Sequence, residues 1–154
     1  MPTDSRLPRV LHTLLHLDEA EEPLTSEVIG KMLGTNPSLV RRTMAGLRKA
    51  GMVESIKGHG GGWILAKSLD QITLAEVYDA LGTPTLFAVG VSGDRPDCLL
   101  ERAANVATVN ALDKARESFL SELKAITVAD LFDEPRAQVA AFQKKAGSTC
   151  GTKQ

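Results

Sequence analysis

Residues 35–67 read TNPSLVRRTMAGLRKAGMVESIKGHGGGWILAK. Asn36 is a strong N-cap, and Pro37 has its φ already set for the first helical position. Leu39, Val40, Met44, Leu47 and Ala50 recur at helical spacing, which predicts that they face inward, and Gly51 stops the helix. Met52 to Lys57 then reads as a strand. Gly58-His59-Gly60-Gly61-Gly62 reads as a turn that needs glycine, and Trp63 to Lys67 as the return strand.

Upstream, Thr25 caps a shorter helix that carries Glu27 in its first turn and ends at Gly34. Val28, Ile29, Met32 and Leu33 form its expected apolar face. Two short helices joined by a tight glycine-containing turn are a helix-turn-helix, and a hairpin directly after the second helix is a wing.

A first helix is expected from Ser5 to Ala20, with Leu7, Val10, Leu11, Leu14 and Leu17 on one face and Pro8 in the tolerant first turn. Downstream, Thr73 and Glu76 make a capping box for a helix ending at Gly82. Leu86 to Val89 is an apolar linker, and Ser92 to Pro96 an exposed loop. Asp97 is the expected cap of a long helix reaching Ile126. Its stripe is Leu99, Ala103, Val106, Val109, Leu112, Phe119, Leu123 and Ile126. At about 1.5 Å per residue such a helix is roughly 40 Å long, more than one small domain covers, so the stripe predicts a second copy of the chain. Thr127 with Asp130 caps a turn through Phe132. One more helix is expected over 135–146, and a disordered tail from Gly147. The fold class is therefore mainly α with a small β-hairpin wing: a winged helix-turn-helix plus a long C-terminal dimerisation helix. The expected division is 1–82 for the winged domain, 83–97 for a linker, 98–132 for the dimerisation region, and 133–154 for a C-terminal helix and flexible tail.

The chain has 154 residues, 43% of them hydrophobic, and 18 Lys+Arg stand against 19 Asp+Glu. No apolar run approaches a membrane span, and the N-terminus lacks the apolar stretch of a secretory signal. Two cysteines, Cys98 and Cys150, make no disulfide framework, and a cytoplasmic location is expected. The formal charge of −1 hides an asymmetry: residues 37–67 carry +5 and the remainder −6. A polyanion is drawn to such a patch.

A recognition helix points its N-terminal residues at base edges in the major groove. Here those are Ser38, Arg41 and Arg42. Arginine reads guanine O6 and N7 in a bidentate manner, but it binds phosphate equally well, and sequence alone leaves both roles open. The helix starts at Thr25 and Asn36 can hold backbone phosphates. Lys57 and His59 sit at the wing tip, where Gly60 permits close backbone approach. Arg48 and Lys49 are further phosphate candidates at the helix C-terminus, where cations also favour the dipole. Trp63 is expected to pack the hairpin onto the domain rather than stack on a base.

The stretch Ser26–Gly82 resembles the Rrf-two family of bacterial winged-helix transcription regulators. The likeness rests on Ser26-x-x-Ile29-Gly30, Asn36-Pro37-Ser38-Leu39-Val40-Arg41-Arg42, Leu47-x-x-Ala50-Gly51-Met52-Val53, Gly58-x-x-Gly61-Gly62-Trp63-x-Leu65-Ala66 and Ile72-Thr73-Leu74. Pro96-x-Cys98 and Thr127-x-x-Asp130-Leu131 extend it, so the likeness covers residues 5–132. The resemblance implies a homodimer that binds an imperfect palindrome in DNA, usually as a repressor. It also implies sensing of an iron–sulfur cluster, nitric oxide or redox state through three cysteines before the long helix. This sequence departs there, because only Cys98 lies between Val89 and Val106. Three thiolates from one chain are excluded, and no iron–sulfur cluster or other cofactor is expected. Some relatives use a His on the first helix with an acid before it. His12 matches the His, but Leu7 and Pro8 stand where the acid would be. His12 and His16 lack a third ligand nearby, and no metal is expected.

Cys98 falls near a helix N-terminus, where the dipole lowers a thiol pKa, with Arg95 and Arg102 close in sequence. It is a candidate redox sensor, the alternative being a small apolar residue in a dimer core. No phosphate loop or acid–base constellation suggests an enzyme. Two further readings stay open. One is a small-molecule sensor of the multiple-antibiotic-resistance type. The other is a protein-interaction dimer that regulates a partner enzyme.

Overall fold

Three side-chain caps set the frame of the winged domain. The Thr25 Oγ1 accepts the Val28 N–H at 3.2 Å, the Asn36 Oδ1 accepts the Ser38 N–H at 2.6 Å, and Thr73 and Glu76 form a reciprocal capping box. The computed structural model describes residues 4–93 and 97–133. In chain order it contains α1 (Arg6–Glu19), α2 (Ser26–Leu33), α3 (Pro37–Lys49), β1 (Val53–Ile56), β2 (Gly62–Leu65), a 3₁₀ turn (Leu69–Gln71), α4 (Leu74–Ala80), α5 (Leu99–Ala125) and α6 (Asp130–Asp133). The expected helix over 135–146, the tail with Cys150, and Arg95 lie outside the described residues.

Gly34 takes the left-handed conformation (φ 61°), which ends α2 and lets Asn36-Pro37 open α3 almost at once. β1 and β2 pair antiparallel, with Val53 opposite Leu65 and Ile56 opposite Gly62. The strands are shorter than the Met52–Lys57 and Trp63–Lys67 runs. The core joins α1 (Val10, Leu14, Leu17), α2 (Ile29), α3 (Val40, Met44, Leu47), β1 (Val53) and α4 (Leu74, Val77, Tyr78). Leu123 of α5 and Val128 close it from the other end.

Four expectations need correction. Val28, Leu39 and Ala50, expected inward, are exposed. Leu39 borders a groove between α1, α2 and α3 and stays partly open to water, Val28 is exposed to a similar degree, and Ala50 is the C-cap beyond the last turn of α3. Asp97 does not cap α5. The N-cap is Cys98, and no side-chain hydrogen bond closes that end.

The stripe of α5 divides in two. Phe119, Leu120, Leu123 and Ile126 pack on the winged domain, with the Phe119 ring edge-on to Tyr78 at 5.6 Å. Leu99, Leu100, Val106 and Val109 stay exposed, Leu100 at 81%. The helix is anchored at its C-terminal half because its packing partner is α4. Thr127 and Asp130 cap the last turn reciprocally, with the Thr127 N–H donating to Asp130 Oδ2 at 2.7 Å. The Asp130 carboxyl is held below its ordinary pKa by that backbone bond, then by the Thr127 hydroxyl.

Candidate nucleic-acid interface

Val40, Met44 and Leu47 turn α3 toward the core. With that face committed, the 3.6-residue period leaves Ser38, Arg41, Arg42, Ala45, Arg48 and Lys49 exposed on the other side. Every residue of α3 expected to contact DNA is on this outer face. The wing tip exposes Lys57, Gly58, His59 and Gly60 in sequence. Those on α3 and on the hairpin that packs against it through β1 are thus solvent-facing, as is Asn36 before α3, whereas Thr25 before α2 is half-buried.

The glycines of the turn have internal reasons to be there. A Cβ at Gly61 would lie 2.3 Å from the Ile56 carbonyl oxygen, and one at Gly62 would lie 2.7 Å from that of Leu24. Gly61 is therefore required by the turn itself, and Gly62 by the segment before α2. Leu24 and Trp63 exchange both backbone hydrogen bonds, at 3.0 and 2.8 Å, an isolated bridge that ties the segment before α2 to β2. Trp63 is buried, and its indole N–H donates to Ser26 Oγ at 3.0 Å. It packs the wing onto the domain, as expected. Leu24 and Ser26 are positioning residues that sequence reasoning missed.

The charge of the patch is also edited by tertiary neighbours. Arg41 Nη2 pairs with Glu27 Oε1 of α2 at 2.6 Å. The Glu27 carboxyl is held below its ordinary pKa first by its own backbone N–H at the helix start, then by Arg41 and Thr25. Lys67 pairs with Glu76 at 3.9 Å. Arg42, Arg48, Lys49 and Lys57 take part in no ion pair among the described residues.

Away from this face, Cys98 is exposed at the head of α5. The open backbone N–H groups of Glu101 and then Leu100 in the first turn of α5 hold its thiol below the ordinary range, without a hydrogen bond of capping geometry. The preceding loop folds back on α5: the Ser92 N–H donates to Asn105 Oδ1 at 3.1 Å, and Asn105 Nδ2 donates to the Ser92 carbonyl at 3.0 Å. His12 and His16 hydrogen-bond each other through their Nε2 atoms at 2.8 Å, so one ring donates and the other accepts. Burial, then the neighbouring His16, pulls the His12 pKa down. Among the described residues no three His, Cys, Asp or Glu side chains form a group that could hold a metal. A cluster held by three thiolates of one chain does not fit a chain with two cysteines. No helix among the described residues is long and apolar enough to cross a membrane.

Comparison with known proteins gives the family and the fold. The Rrf2 family, described as an iron-dependent transcriptional regulator, matches residues 3–134. The chain is 37% identical over 83 residues to YwgB of Bacillus subtilis (strain 168), a match that covers 53% of each chain and so spans about half the length of that relative. It is 28% identical over 131 residues to the HTH-type transcriptional repressor NsrR of Streptomyces coelicolor, covering 85% of this chain and 86% of that one. Among solved structures, a protein of Lactobacillus plantarum superposes with a TM-score of 0.73 at 21% identity, covering 93% of this chain and 97% of that one.

Proposed function

The chain belongs to the Rrf2 family of DNA-binding transcriptional regulators, which are not enzymes, and from that premise we propose that it is a dimeric repressor that reads an operator through α3 and its wing. The observation that carries the reading is the outer face of α3, where Ser38, Arg41, Arg42, Arg48 and Lys49 are all exposed while the opposite face is core. Arg41 with Ser38 is assigned to base edges. Arg42, Arg48, Lys49, Lys57 and His59 are assigned to phosphates, together with the Thr25 and Asn36 helix starts and the Gly60 backbone. The repressor role is supported by the name of the relative NsrR.

The dimer is proposed to form through the exposed apolar half of α5 (Leu99, Leu100, Val106 and Val109) together with the exposed Phe87, Val89 and Val91 of the linker. A face of this kind, left in water, is what a second copy removes. Redox control is assigned to Cys98, whose exposed thiol is biased toward thiolate by the α5 N-terminus.

The test is a band shift of the chain on DNA from its own promoter region, across a salt series. Tight binding that falls steeply with salt, and that is lost in the double variant Arg41→Ala/Arg42→Ala, is the expected result. Binding that the double variant leaves unchanged would overturn the assignment to α3.

A second reading has one observation in its favour. A groove of about 910 Å³ lies between α1, the 82–88 segment and α5, lined by Leu7, Tyr78, Leu86, Phe87 and Phe119 and by the Asp4–Arg6 ion pair. A small apolar effector bound there would bridge the winged domain and the dimerisation helix. Thermal shift against a panel of small hydrophobic acids and amines tests it.

A further inference from the structure

We propose that Glu27 is a positioning residue for base recognition: it holds the Arg41 guanidinium through one Nη2 hydrogen bond, so that Arg41 reads guanine while its neighbour Arg42 binds phosphate. The inference rests on the DNA-binding reading above and gives the two arginines different tasks.

The geometry supplies the difference. Arg41 and Arg42 are adjacent, both exposed and on the same helix. Among the described residues only Arg41 of the two has a side-chain partner, the Glu27 carboxylate at 2.6 Å from Nη2. A guanidinium has five N–H donors in a fixed fork. Glu27 takes one Nη2 hydrogen and leaves the other Nη2 hydrogen, both on Nη1, and the one on Nε. The remaining donors still include a bidentate pair suited to guanine O6 and N7.

An arginine without such a brace has a flexible stem and can swing to the nearest phosphate, which carries no sequence information. A braced one loses less rotamer freedom on meeting the base.

A simpler account of Glu27 is that acids favour the first turn of any helix. That explains a carboxylate near the start of α2. It does not explain why the carboxylate reaches across to the recognition helix and meets one of two adjacent arginines. Nor does stability account for it, because an exposed pair of this kind contributes little to folding. A carboxylate beside the expected DNA backbone also repels phosphate. Its presence costs general affinity, which is reasonable only if it improves discrimination.

The experiment is selection from randomised duplex DNA, followed by affinity measurements on single-base variants of the selected site. Wild type, Arg41→Ala, Arg42→Ala, Glu27→Ala, Glu27→Gln and the Glu27→Ala/Arg41→Ala double variant are compared. Arg41→Ala identifies the guanine by losing preference for it, by about tenfold or more. Glu27→Ala should lose preference at that same position while binding random duplex as tightly as wild type or more so. Glu27→Gln keeps an acceptor and should retain part of the preference. The double variant should lose no more than Arg41→Ala alone, and Arg42→Ala should weaken all sequences alike.

Glu27→Ala keeping full preference at the Arg41 position overturns the proposal, as does a loss spread evenly over all positions. Circular dichroism of each variant separates that spread from unfolding. If the wild type selects no sequence at all, the DNA-binding reading fails first and the proposal falls with it.

Discussion

The Trp63 indole donates to the Ser26 hydroxyl at 3.0 Å, tying the wing to the first turn of α2 across 37 positions of chain. Both groups are buried. Ser26→Ala removes the acceptor and orphans a buried N–H, which costs about 1–3 kcal/mol. Urea unfolding should show that loss. Trp63→Phe combined with Ser26→Ala should cost less than the two single changes added, since each removes the same bond. Additive costs would show that the bond contributes nothing.

The capping box of α4 makes stability depend on acid. Glu76 is held below its ordinary pKa first by the Thr73 backbone N–H, then by the Thr73 hydroxyl and Lys67. A carboxylate with a depressed folded pKa contributes stability that is complete above its unfolded pKa and is lost as pH falls through the folded value. Glu76→Gln should therefore flatten part of the acid limb of a melting-temperature profile and leave its neutral side sloped as before. Thr73→Ala should cost roughly 0.5–2 kcal/mol at neutral pH by thermal or urea unfolding. An unchanged acid limb in Glu76→Gln would contradict the first expectation.

Arg42 and Lys57 are free of ion pairs among the described residues, one on α3 and one at the wing. If each neutralises one phosphate, alanine at either should weaken DNA binding about equally for all sequences and reduce the salt slope by about one. Fluorescence anisotropy over a salt series measures this. A change confined to one base position would move the residue from phosphate contact to base reading.

Cys98 should react as a thiolate at a pH where an ordinary thiol is still protonated. The cause is the pair of backbone N–H groups from Glu101 and Leu100. The rate of alkylation by iodoacetamide against pH, read by mass spectrometry on the proteolytic peptide that carries Cys98, should have its midpoint below that of a free-cysteine peptide. A midpoint at or above the peptide's would remove the basis for a redox role.

Val106 and Val109 lie one turn apart on the uncovered half of α5, exposed at 54% and 42%. Val106→Glu should convert a dimer into a monomer in sedimentation equilibrium, with the winged domain still folded by circular dichroism. Persistence of the dimer would move the interface elsewhere.

Wherever one residue acts on its near neighbours, the sequence was sufficient. Asn36, Pro37, Thr25, Gly34 and the Thr73–Glu76 pair do their work within a few residues, so α2, α3, α4 and the wing were legible from spacing alone. So was the outer face of α3, because burying Val40, Met44 and Leu47 leaves no other side for Arg41 and Arg42. The cap of α5 was misread for lack of such a local bond: Asp97 is a better capping residue than Cys98, yet the helix begins after Cys98 without any side-chain cap.

Tertiary structure alone decided three things. It joined Ser26 to Trp63, set Glu27 on Arg41, and divided the apolar stripe of α5 into a packed half and an exposed half. Each depends on the distance between elements that periodicity does not encode. A charge count places Arg41 in a basic segment of +5, but only the approach of α2 to α3 puts a carboxylate 2.6 Å from it. A helical stripe predicts that something covers it, and only packing against α4 shows which half is already covered.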